Sequence, residues 1–259
     1  MTVISSPAPI SFSALYNQPA PKQESTVKIV HDRDSNGPIV NISVTHQRAD
    51  IRIRKDANDN LIAYINGKPH PLQLPNSAGS KVNITTGQYN DFIKIDDNVS
   101  VTVRVKSGDG NDFIQAGGGF TAVDAGDGND QVQLSTGGGT ARGGAGDDKL
   151  FGGAGNSRLY GDTGENFFST DIPAYAPRLT QIYSSGTHDT IRARAGHVEV
   201  TVYSGKTDIH VANEASANIK LESFTEGSTI TKEWGEFRRD VFIHGAMRGR
   251  DEIINTRPE

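Results

Sequence analysis

The chain has 259 residues, of which 34% are hydrophobic and 29 are glycine, and its net charge is −5. That length allows one elongated domain or two ordinary ones, and the apolar content is low for a conventional globular core. A weakly negative balance without a basic stripe excludes a nucleic-acid partner, the absence of cysteine excludes disulfide and thiol chemistry, and no apolar run is long enough to read as a membrane span.

Residues 1–25 form a Ser/Pro-rich leader, MTVISSPAPISFSALYNQPAPKQES, with no charged n-region ahead of an apolar h-region. It is expected to be disordered and is not a Sec signal peptide. It suits the unstructured region of a bacterial protein secreted by a type I or type III route. From 26 to 106 the pattern is strand-like. TVKIV, IVNISVTH and DIRIRK alternate apolar and polar residues, and DANDN (56–60) is a turn that pairs DIRIRK with LIAYING as a hairpin. KVNITT, TGQYNDFIK and NVSVTVRVK then read as first coils of a larger array, with Asp91 in a nonad-like unit starting at Thr86.

From Ser107 to Ser169 the sequence repeats every nine residues without insertion: SGDGNDFIQ, AGGGFTAVD, AGDGNDQVQ, LSTGGGTAR, GGAGDDKLF, GGAGNSRLY and GDTGENFFS. The fourth residue of each unit is glycine, from Gly110 to Gly164, and the eighth is apolar: Ile114, Val123, Val132, Ala141, Leu150, Leu159 and Phe168. The absence of proline excludes collagen and the glycine load excludes a helix. What remains is an all-β parallel solenoid in which each nonad is a glycine turn of about six residues followed by a very short strand with one inward side chain. Two nonads complete one coil, so residues eighteen apart stack. The sixth position then divides the two edges. Asp112, Asp130 and Asp148 share one, whereas Thr121, Gly139 and Ser157 share the other.

Coils stack about 4.8 Å apart, so ionised carboxylates at that spacing would repel by roughly 3 kcal/mol per pair at an effective dielectric of 20. Asp109, Asp127 and Asp147 add to the charge. Such a ladder calls for a cation between turns. Carboxylates and glycine-turn carbonyls are hard oxygen ligands with flexible geometry, which suits calcium before magnesium, and residues 107–169 contain no His or Cys for a transition metal.

After Ser169, DIPAYAPRL is expected to break the solenoid at Pro173 and Pro177. The β pattern then resumes through SSGTHDTIR, a degenerate nonad around Asp189, and through HVEVTVY, TDIHVA, ANIKLESF, STITKEW and RDVFIHG. The organisation expected is a cap with first coils (26–106), a repeat block (107–169) and further coils with a second cap (170–259), because an open coil end is an exposed sheet edge. No G-x-S-x-G, P-loop or H-E-x-x-H occurs and the seven histidines are scattered, so no catalytic residue is assigned and the chain reads as a non-enzyme. Asp208, Lys206 and Lys220 are the candidates for an alternative reading, a polysaccharide-active or carbohydrate-binding parallel β-helix.

GGAGDDKLF (143–151) matches G-G-x-G-x-D-x-U-x in full, and SGDGNDFIQ and AGDGNDQVQ differ at the first glycine only. The block therefore resembles the RTX (haemolysin-type) calcium-binding nonapeptide repeats. That resemblance implies a parallel β-roll that binds calcium between stacked turns. It implicates Asp112, Asp130 and Asp148, with the turn backbones at Gly108, Gly110, Gly126, Gly128, Gly144 and Gly146. Asp91, Asp109, Asp127 and Asp147 are weaker candidates. Residues 26–169, with THQRADIRIRKDANDNLIAYINGKPHPLQL ahead of the repeats, also resemble the N-terminal part of bacterial type III effector-like proteins of the M91 zinc metallopeptidase family. Those carry an H-E-x-x-H domain elsewhere, and this chain lacks the motif, so protease activity is not carried over. The implied setting is a secreted bacterial protein, an effector or its accessory domain, whose further partner is a host protein or glycan.

Overall fold

The computed structural model describes residues 26–134, 136–170, 179–212, 214–222, 227–233, 241–244 and 252–256. The leader, the Pro173 and Pro177 segment and the far C-terminal cap lie outside them. All described regular structure is β: β1 (Thr26–Asp34), β2 (Gly37–Thr45), β3 (Asp50–Lys55), β4 (Leu61–Ile65), β5 (Lys68–Pro71), β6 (Lys81–Thr85), β7 (Phe92–Ile95), β8 (Thr102–Asp109), β9 (Phe113–Gln115), β10 (Thr121–Asp127), β11 (Gln131–Gln133) and β12 (Gly139–Ala145). The chain continues through β13 (Lys149–Phe151), β14 (Ser157–Thr163), β15 (Phe167–Ser169), β16 (Leu179–Ser184), β17 (His188–Ala193), β18 (Gly196–Val202), β19 (Lys206–Val211), β20 (Ala215–Leu221), β21 (Thr229–Glu233), β22 (Val241–His244) and β23 (Glu252–Thr256).

Two sheets result. Sheet A runs β1-β2-β6-β8-β10-β12-β14-β16-β18-β20-β22, and sheet B runs β23-β21-β19-β17-β15-β13-β11-β9-β7-β3-β4-β5. Apart from the antiparallel pairs β1–β2, β3–β4 and β4–β5 at the N-terminal end, neighbours are parallel, so the chain is a parallel β-solenoid. Lys55 stands opposite Leu61 across the DANDN turn, where Asp56 accepts the amides of Asn58 and Asn60 at 2.8 Å each.

Two apolar columns fill the space between the sheets. In sheet B the stack is Ile93, Ile114, Val132, Leu150, Phe168, Ile191, Ile209 and Ile230, each in register with the next. Sheet A supplies Val105, Val123, Ala141, Leu159, Ile182, Val200 and Ile219 in the same way. All are buried, and each full burial of a Val, Leu, Ile or Phe contributes about 1.5–3 kcal/mol. The narrow core of the repeats therefore gains stability by repetition, one aliphatic layer per coil.

Two expectations need correction. The nonads are not equal turn-and-strand units: strands of sheet A cross the unit boundary and run seven residues in β10, β12 and β14, whereas β9, β11, β13 and β15 have three. The turn at the aspartate edge is correspondingly tight, because β10 ends at Asp127 and β11 begins at Gln131. Nor is the array lost at the prolines, whose own segment lies outside the described residues. Ser157 of β14 pairs with Thr180 of β16, and Phe167 of β15 pairs with Thr190 of β17, so both sheets continue across the segment.

Candidate metal centre

The aspartate edge is a continuous side-chain ladder. The backbone N–H of Ala49 donates to Asp91 Oδ1 at 2.6 Å, Asp91 N–H to Asp112 Oδ1 at 2.6 Å, Asp112 N–H to Asp130 Oδ1 at 2.7 Å and Asp130 N–H to Asp148 Oδ1 at 2.8 Å. Asp148 N–H then donates to Asn166 Oδ1 at 3.1 Å and Asn166 N–H to Asp189 Oδ1 at 2.8 Å. Asp91, Asp112, Asp130, Asp148, Asn166 and Asp189 are each at most 3% exposed. Asp91, a weaker candidate by sequence, is thus an equal member, and Asn166 and Asp189 extend the row beyond the residues singled out.

Each carboxylate has one satisfied oxygen. The second, Oδ2 of Asp91, Asp112, Asp130 and Asp148, is buried without a hydrogen-bond partner. A buried acceptor left bare costs about 1–3 kcal/mol, and more when charged. Burial accordingly pushes Asp112 and Asp130 up to about 7 and Asp148 to about 6, against the lowering effect of the ladder amides and, at Asp112, of the nearby Ser107 hydroxyl, which itself donates to the Ala125 carbonyl. Neighbouring carboxylates add to the rise: Asp130 and Asp91 for Asp112, Asp148 and Asp127 for Asp130, and Asp147 and Asp162 for Asp148. At the end of the row the pattern changes. Asp189 Oδ2 accepts from Ser184 Oγ at 2.6 Å and from the Gly186 amide at 3.2 Å, and Asn166 presents its Nδ2, a donor, where the others present an oxygen.

The predicted glycines frame the same edge. Gly126 and Gly128 have φ of +110° and +133°, and a Cβ on them would stand 2.0 Å from the Gly108 carbonyl oxygen and 2.1 Å from that of Gly110. Gly108, Gly110, Gly144 and Gly146 share the positive φ. Glycine is needed here because carbonyl oxygens of one turn are aimed across the gap at the Cα of the next. Among the described residues no three His, Asp or Glu side chains converge on one point. A cation between turns would therefore draw on carbonyls together with the bare carboxylate oxygens. That oxygen-only set fits calcium.

Asp109, Asp127 and Asp147 are not in this ladder; all three are exposed. Asp147 belongs to a second row that the sequence reading missed. Asn111 N–H donates to Asn90 Oδ1, Asn129 N–H to Asn111 Oδ1, Asp147 N–H to Asn129 Oδ1 and Glu165 N–H to Asp147 Oδ1, all at 2.8–2.9 Å. It runs opposite to the buried row, each side chain bonding the coil that follows. The visible signal was the recurrence of Asn111, Asn129 and Asp147 eighteen apart. The other edge carries no carboxylate at the sixth position. Thr121 Oγ1 donates to the Gly119 carbonyl at 3.4 Å and Ser157 Oγ to that of Gly155 at 3.3 Å. Of the carbohydrate-reading candidates, Lys206 Nζ lies 3.4 Å from Asp208 Oδ2 on sheet B, but Lys220 is on sheet A, paired with Glu222 at 2.6 Å, so the three do not form one cluster.

Residues 134–168 match the family described as RTX calcium-binding nonapeptide repeat (4 copies). The match begins at Leu134, the first residue of a nonad, and contains Asp148 and Asn166. Asp91, Asp112 and Asp130 are tied to it by the stacking and the repeated amide–carboxylate bond. No curated protein and no solved structure matches the chain, and nothing in these comparisons supports the resemblance to the M91 metallopeptidases.

Proposed function

We propose that this chain is a non-enzymatic, calcium-responsive β-roll of a secreted bacterial protein, an effector or its accessory module, whose aspartate edge is completed by calcium outside the producing cell. The observation that carries this reading is the row of four buried, bare Oδ2 atoms on Asp91, Asp112, Asp130 and Asp148, at an edge where the glycine carbonyls of one turn face the next. Secretion is supported by the repeats, since RTX repeat proteins are typically secreted by bacteria. Calcium, when bound, supplies the positive charge that these buried carboxylates lack. The chain's own contribution is to hold the aspartates in line through Oδ1 and to keep their Oδ2 atoms buried and unbonded. Three of the four candidate rungs lie outside the segment that matches the repeat family, so the responsive unit is longer than that segment.

Asp130→Asn tests this directly. An asparagine Oδ1 still accepts the Asp112 amide, so the ladder is kept while one charge is removed. Calorimetry should show weaker calcium binding and fewer ions per chain, and the calcium-free variant should melt higher than the calcium-free parent at pH 8. Unchanged calcium binding would refute the assignment.

A further inference from the structure

Away from the aspartate edge, the outward face of sheet B holds an open groove of about 730 Å³ across β17, β19 and β21. Two rows of side chains line up across these strands: Thr190, Asp208 and Thr229, then Arg192, His210 and Thr231. Apart from Ala212 and the buried Ile209, every residue lining the groove bears a hydroxyl, carboxylate, imidazole or guanidinium. Pockets for apolar small molecules are lined mainly by hydrophobic and aromatic side chains, so this groove suits a ligand rich in hydroxyls.

The polar groups are held in place. His188 Nε2 lies 2.7 Å from Asp208 Oδ2 and His210 Nε2 lies 2.8 Å from Glu233 Oε1. The Arg192 guanidinium sits 5.2 Å from the centre of the Phe167 ring and forms no ion pair with a described residue. Both signs of charge thus line the groove, Arg192 and Arg194 with Asp208, Glu214 and Glu233, and Lys206 stands 3.4 Å from Asp208 Oδ2. A polyanion without hydroxyls would meet Asp208 and Glu233 as like charges, and a neutral glycan would leave Arg192 without a counter-charge. A chain of acidic sugars satisfies both, and the strand spacing of about 4.8 Å is close to the advance of one pyranose ring along an extended glycan.

The geometry points to a binding site for an acidic oligosaccharide, with a uronate carboxylate on Arg192 and ring hydroxyls donating to Glu233 and to Asp208 Oδ2, the Oδ1 of Asp208 being buried. This assignment is independent of the calcium ladder. The test is calorimetry on the full chain with calcium present, using a galacturonic acid tetrasaccharide, its carboxyl-reduced neutral counterpart and polyglutamate as probes. The uronate should bind one per chain, and the reduced sugar should bind roughly tenfold or more weakly, as expected for the loss of a charge-assisted hydrogen bond. Arg192→Ala should bring uronate binding down to the level of the reduced sugar, while Asp208→Asn should weaken both sugars. Both side chains point outward, and an unchanged far-UV spectrum would check that each variant is folded. Equal binding of the two sugars, comparable binding of polyglutamate, or uronate binding that survives Arg192→Ala but disappears in Asp130→Asn would each overturn the proposal, the last by placing the sugar on the calcium edge.

Discussion

Asp112, Asp130 and Asp148 each carry one bonded and one bare buried carboxylate oxygen, and that duality sets a pH dependence. Their folded pKa values are raised to about 7, 7 and 6 from a reference of 3.8. Between about pH 4 and 7 the folded calcium-free chain therefore binds protons that the unfolded chain has released, and stability falls as pH rises through that window. Melting temperatures of the calcium-free protein should be higher at pH 5 than at pH 8, and calcium should reverse the order, because it competes with those protons for the same oxygens. A calcium-free protein that is more stable at pH 8 would show that the carboxylates are not desolvated. Asn166 makes the complementary point. Its Oδ1 keeps the ladder intact while its Nδ2 faces the position of a cation-binding oxygen. Asn166→Asp should raise the number of calcium ions bound by one, read by calorimetry; an unchanged number would mean that this rung lacks the carbonyls of the others.

At the scale of the turn and strand, the glycine pattern was legible because backbones that approach within a Cβ radius leave no other residue possible. Gly126 and Gly67 separate the two reasons for glycine. Gly67 has φ of +78° and open space around its would-be Cβ, so Gly67→Ala should cost about 1–2 kcal/mol from the left-handed backbone alone. Gly126 adds a carbonyl oxygen 2.0 Å from the added carbon. Gly126→Ala should therefore cost more than Gly67→Ala in urea unfolding and should also weaken calcium binding, which Gly67→Ala should leave unchanged. The strand lengths were not legible. Hydrogen bonding in sheet A runs past the unit boundary through Gly126 to Asp127, and nothing in a nine-residue count marks where a ladder stops. The position-five row was present in the sequence as Asn111, Asn129 and Asp147, yet turn preference alone explains Asn and Asp there, so only the 2.8–2.9 Å bonds between coils distinguish a ladder from a set of turns.

Over the whole molecule, the regular repeat is shorter than the structure it nucleates. The sequence pattern spans 107–169, but the buried row runs from Asp91 to Asp189, with spacings of 21 residues before Asp112 and 23 after Asn166 in place of 18. A side chain that bonds only the coil next to it needs the right height and not a fixed count, so extra residues on the far side of a coil leave the edge in line. That is why both flanks looked degenerate by period while stacking in register. It also determines where calcium matters. The flanks contribute dense aliphatic layers, such as Ile42, Ile51 and Ile53 at one end and Val198, Val200 and Val202 at the other, whereas the repeats carry one apolar residue at the eighth position of each nonad, from Ala141 and Val123 to Leu150 and Phe168, between glycine turns. If calcium affinity lies near the 10⁻⁴ to 10⁻³ M of extracellular modules, an ion at about 100 times its dissociation constant adds roughly 2.7 kcal/mol per site. That is comparable to one or two apolar layers, enough to decide whether the glycine-rich middle is ordered but not whether the flanks are. Hydrogen exchange should therefore show chelation lowering protection across 91–169 while β2–β4 and β18–β20 retain theirs. Uniform loss along the chain would mean that the solenoid opens as one unit and that calcium governs the entire stack; no loss anywhere would mean that the glycine turns hold themselves, and that the bare oxygens are tolerated without a cation.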